Sequence, residues 1–69
     1  MKQELESLIA QMVDKGILFG EARREFEKRF IARVLGKSDG SLTKTADALG
    51  MHRNTLTRKM GEYKIKKRA

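Results

Sequence analysis

Leu5, Leu8, Ile9, Met12 and Val13 recur at i, i+3, i+4, i+7 and i+8, with Glu4, Glu6, Gln11 and Asp14 set between them. That spacing predicts one amphipathic helix over residues 3 to 15. Gly16, which takes a left-handed conformation freely, ends it ahead of the apolar triplet Ile17-Leu18-Phe19, which the pattern assigns to plug the bottom of a core. A second helix is expected from Gly20-Glu21 to Leu35, since Ala22, Phe26, Phe30 and Val34 repeat every four residues with charges between them. Its last turns are apolar on a second side, because Ile31 and Leu35 lie about 140° and 180° round from Phe26. A helix apolar on two sides sits between two partners. One side is assigned to the first helix and a second copy of the chain, the other to the C-terminal half. Phe26 and Phe30 are read as packing residues rather than as platforms for stacked bases.

Gly36-Lys37-Ser38-Asp39-Gly40 is the sustained run of turn residues, and it divides the chain. Beyond it Ser41 is placed to cap a third helix, with Leu42, Ala46 and Leu49 facing inward. Gly50 stops that helix, and a fourth follows from about Arg53 to Glu62 with Leu56, Met60 and Tyr63 on one stripe. No strand-like alternation, repeat or proline interrupts the pattern. The reading is an all-α fold of four helices in a single domain spanning 1–69: residues 3–35 as dimerisation helices forming a four-helix core with a partner, 41–65 as a helix-turn-helix, and 66–69 as a basic tail.

Charge changes this picture in one respect. The net charge of the 69 residues is +7, and its placement is lopsided: residues 1–36 carry seven Lys/Arg against six Asp/Glu, residues 37–69 nine against three. A near-neutral half joined to a strongly basic one is suited to a polyanion, with nucleic acid the leading candidate. A domain this small buries little surface alone, which again favours a homodimer. There is no cysteine, and the single His52 has no second imidazole or thiol beside it, so no metal or other cofactor is expected. No apolar run approaches a membrane span, so a soluble protein with no membrane partner, cytoplasmic and nucleoid-associated, is expected. No acid-base pair or nucleophile arrangement stands out, which argues against an enzyme and against a small-molecule substrate.

The informative stretch is Thr43 to Leu56. A helix-turn-helix needs a small residue where its helices cross, here Ala46, and a glycine four residues later at the turn, here Gly50. Met51 and Leu56 then close a miniature core against Leu42 and Leu49, leaving the other face of the second helix for a DNA groove. Asp39-Gly40-Ser41, Ala46 to Gly50, and above all Gly50-Met51-His52-Arg53-Asn54-Thr55-Leu56 followed by Arg58-Lys59-Met60 resemble the Fis family, including the C-terminal domains of NtrC-type regulators.

The resemblance implies a DNA-bending homodimer, a transcriptional regulator or nucleoid-type factor that binds double-stranded DNA with some sequence preference. It also implies an interface: Arg53 at a guanine edge with His52 and Asn54 beside it, Ser41, Thr43 and Thr55 on phosphates, and Arg58 and Lys59 on phosphates or base edges. Arginine's planar fork matches the guanine O6/N7 pair, and hydroxyls at helix N-termini suit phosphate oxygens. His52 stands where the family signature carries Asn, and an imidazole there would make binding mildly pH-sensitive. The N-terminal hairpin arm of the nucleoid-associated member has no expected counterpart, since the first helix begins almost at Met1. Two other readings remain open: the DNA-binding domain of a longer NtrC-type activator, and a helical protein-interaction adaptor with an incidental basic face.

Overall fold

The computed structural model describes residues 1–66 and contains α1 (Lys2–Asp14), α2 (Phe19–Lys37), α3 (Leu42–Leu49) and α4 (Arg53–Tyr63). Among the described residues there is no strand, so the fold is all-α as the periodicity predicts. Of the basic tail only Lys66 falls within this range; Lys67, Arg68 and Ala69 lie outside the described residues.

Each helix ends in the same way. An amide beyond the helix bonds back to a carbonyl five residues earlier: Ile17 to Met12 at 3.1 Å, Gly40 to Leu35 at 3.0 Å, Met51 to Ala46 at 3.0 Å and Ile65 to Met60 at 2.8 Å. The residue before each donor is left-handed: Gly16 (φ 72°), Asp39 (φ 53°), Gly50 (φ 71°) and Lys64 (φ 57°). This closure satisfies carbonyls that a helix end otherwise orphans. It also explains where α2 stops. The run of turn residues predicts an end near Leu35, but the chain turns at Asp39, so Gly36 and Lys37 stay helical.

The core is built from Ile31 and Leu35 of α2, Ala46 of α3, and Leu56, Met60 and Tyr63 of α4, with Leu42, Leu49, Met51 and Ile65 packed around it. Leu35 and Leu56 are fully enclosed, each burial worth roughly 1.5 to 3 kcal/mol. The one fully buried polar side chain in this region, Thr45, donates its hydroxyl to the Ser41 carbonyl at 2.7 Å, so no desolvated group is left unpaired.

The two apolar sides of α2 thus have different fates. Ile31 and Leu35 hold the C-terminal half, as predicted. Phe26 and Phe30, their ring centroids 5.2 Å apart, remain 58% and 49% exposed. They border an open apolar groove of about 610 Å³ between α1 and α2, lined also by Leu5, Leu8, Ile9 and Met12. No residue of α1 is buried. The expectation that Ile17-Leu18-Phe19 plugs the core is not met: all three are exposed. The core centres on Ile31 and Leu35, and Ile31 lies roughly 18 Å along α2 from Phe19 at 1.5 Å per residue.

Candidate nucleic-acid interface

Both helices of the C-terminal half start at side-chain caps. Ser41 Oγ accepts from the Lys44 amide at 3.2 Å, opening α3. At α4 the cap is His52, whose Nδ1 accepts from the Asn54 amide at 3.0 Å. The imidazole itself thus caps α4, and accepting at Nδ1 places the proton of a neutral ring on Nε2. The other first-turn amides of both helices have no intrahelical partner, as at any helix start, and are donors suited to an anion.

Leu56, Met60 and Tyr63 turn one stripe of α4 into the core. At 100° per residue Asn54 and Arg58 fall roughly 160° and 200° from Leu56, on the opposite face, and both are exposed. Arg53 occupies the first helical position, is exposed, and has no ion-pair partner among the described residues. Arg58 reaches Glu62 only at 3.9 Å with both side chains largely in water, a contact that hardly restrains it. Thr43 is exposed, while Ser41 and Thr55 are half-buried. The structure thus brings Arg53, Asn54, Arg58 and the two capped helix starts onto one compact, rigidly supported unit.

Lys59 stands apart from them. It is only 17% exposed, and its ammonium donates to Glu27 Oε1 of α2 at 2.9 Å. Tyr63 donates its hydroxyl to the same oxygen at 2.6 Å, and Arg23 Nε donates to Oε2 at 3.0 Å. These three donors, Tyr63 foremost, outweigh burial and hold the Glu27 carboxyl down at about 2. Arg24 closes the cluster, its guanidinium 5.3 Å from the Tyr63 ring centroid.

The sequence model of the bacterial regulatory proteins of the Fis family matches residues 22–63, from the second turn of α2 to the last residue of α4. The chain belongs to the Fis family. No curated protein and no solved structure matches it significantly. A Fis-family helix-turn-helix makes the chain a DNA-binding regulator. No helix among the described residues is long and apolar enough to cross a membrane.

Within this Fis-family domain the interface residues named from the sequence divide in two. Ser41, Thr43, His52, Arg53, Asn54 and Thr55 lie on or beside the starts of α3 and α4 and Arg58 on the outward face of α4, whereas Lys59 is directed to α2. Glu27 was not legible as a participant. It is 32 residues from Lys59 and sits in a helix whose other charges also alternate with apolar positions.

Proposed function

We propose that the chain binds duplex DNA as a homodimer, placing α4 of each copy in the major groove, and acts as a transcriptional regulator or nucleoid-type architectural factor. The observation that carries this reading is the exposed surface of α4, with Asn54 and Arg58 opposite the core stripe of Leu56, Met60 and Tyr63, and Arg53 exposed in the first turn. In this arrangement Arg53 reads a guanine edge through its bidentate fork, His52 and Asn54 lie against the neighbouring groove wall, and Ser41, Thr43 and Thr55 meet phosphates beside two helix N-termini. Arg58 adds a phosphate or base-edge contact. The Lys59 ammonium, already paired with Glu27, falls outside this set.

The open groove along Phe26 and Phe30 supports the second copy, because a soluble chain of this size gains much of its apolar burial by pairing. Residues 3–35 would then serve as the pairing unit, and recognition helices closer than the ~34 Å of one helical turn would require the duplex to curve. A second reading is the DNA-binding domain of a longer activator, favoured by a core that lies wholly within residues 31–63.

The deciding experiment is a gel-shift series on random duplex DNA at several salt concentrations, with sedimentation of the free protein alongside. Counterion release predicts an affinity falling steeply with salt, and the paired groove predicts a dimer at micromolar concentration. Absence of salt-dependent duplex binding would leave an adaptor role instead. Circular-permutation gels report the bend, and position-independent mobility would exclude it.

A further inference from the structure

The contacts that hold α4 to the rest of the fold are of two kinds. Leu56, Met60 and the Tyr63 ring make apolar, non-directional contacts, which fix the roll of a helix about its axis less sharply than directional ones do. The hydrogen bonds to Glu27 are directional. Lys59 and Tyr63 both approach Oε1, and Arg23 of α2 secures Oε2, so the carboxylate is itself held in one orientation. Both charges of the Glu27–Lys59 pair are largely withdrawn from water, at 21% and 17% exposed. Such a pair overcomes its desolvation only when its partners are well oriented. The network therefore fixes an orientation as well as adding stability.

We propose that Glu27 is a positioning residue for DNA readout: through Lys59 and Tyr63 it sets the roll of α4, and so the direction in which Arg53, Asn54 and Arg58 face the groove. This inference rests on the DNA-binding reading above. Side-chain tips stand about 6 Å from a helix axis, so a roll of ~20° displaces them by about 2 Å, beyond the tolerance of a bidentate hydrogen bond. The same contact withdraws Lys59 from phosphate attraction, which makes its part in binding separable from that of a free cation.

The test compares Glu27→Gln, Tyr63→Phe, Lys59→Met and the Glu27→Gln/Lys59→Met pair, with affinity measured across a salt series on a duplex selected from a random pool and on unselected duplex. Glu27→Gln makes the protein one charge more positive, so unselected binding should hold or rise while selected binding falls, lowering the ratio about three- to tenfold. Tyr63→Phe, which keeps the buried ring, should lower the ratio in the same direction. Lys59→Met should leave the salt slope unchanged, and the double variant should be no worse than the worse single, as for members of one network. Should Glu27→Gln fail to fold by circular dichroism, the Tyr63→Phe ratio and the Lys59→Met slope decide. An unchanged ratio in the folded variants, even with reduced stability, overturns the proposal. So does a Lys59→Met slope shallower by about one charge, the mark of a phosphate contact. Failure of the wild-type chain to bind duplex DNA at all would strike the functional reading instead.

Discussion

The Tyr63 hydroxyl lies 2.6 Å from Glu27 Oε1, joining the last turn of α4 to the middle of α2 across 36 residues of chain. Together with Lys59 and Arg23 it holds the Glu27 carboxyl near 2, below the ordinary value of 4.5. A carboxyl lowered by folding stabilises the native state above its unfolded value and ceases to do so as the pH falls through the folded one. The contribution should therefore be intact at pH 7 and disappear progressively between about pH 5 and 2, with an upper limit of roughly 3 kcal/mol. Urea unfolding across that range should show wild type and Glu27→Gln converging in acid. Curves that stay parallel down to pH 2 would remove Glu27 from the acid limb.

Two glycines should respond oppositely to alanine, although an added Cβ meets nothing within 4 Å at either. Gly50 sits at φ 71°, where a side chain is strained, so Gly50→Ala should cost about 1 to 2 kcal/mol. Gly61 lies inside α4 with ordinary helical backbone. Gly61→Ala should stabilise the protein by about 0.5 to 1 kcal/mol. Thermal unfolding of the two variants separates conformational strain from steric fit, and equal shifts would contradict it.

Arg53→Ala should cost about 1 to 3 kcal/mol on a selected duplex and relax discrimination at one base pair, as expected for a bidentate guanine contact. Lys66→Ala, an exposed position beyond α4, should instead weaken binding to all sequences and make the salt slope shallower by about one charge. Equal loss on selected and unselected duplex for a folded Arg53→Ala protein would reduce Arg53 to one more positive charge.

Phe26→Ala should act on assembly, since the ring is 58% exposed in the single chain and lines the α1–α2 groove. Truncating a central aromatic of a pairing surface typically weakens association by about tenfold or more. Sedimentation equilibrium should show the dimer shifting toward monomer, with DNA binding falling in parallel. A wild-type chain already monomeric at tens of micromolar would refute this.

Four helices were legible because each carries an unbroken apolar period, and the two-sided character of α2 was legible in the offset of Ile31 and Leu35 from Phe26. The caps at Ser41 and the turn at Gly50 follow from local chemistry and were readable for the same reason. What escaped was non-local or against propensity. Asp39 and Lys64 turn left-handed without being glycine, and at Asp39 this carries α2 two residues beyond the expected end at Leu35. Lys59 read as one more cation on a basic helix, since nothing in its neighbourhood announces a carboxylate 32 residues earlier. Ile17, Leu18 and Phe19 read as core because hydrophobicity reports a tendency to be covered, not by which surface.

Among the described residues the six buried core side chains come from Ile31 to Tyr63, and α1 contributes none. The helix-turn-helix thus has a core to which α1 adds no buried side chain, and on the dimeric reading proposed above the means of pairing is an attachment at one end of α2. Such a cassette is portable. Exchange of α1, or fusion of another oligomerising module ahead of α2, would alter how two units are spaced on a duplex without disturbing the packing that shapes each of them, so half-site separation can evolve independently of base recognition.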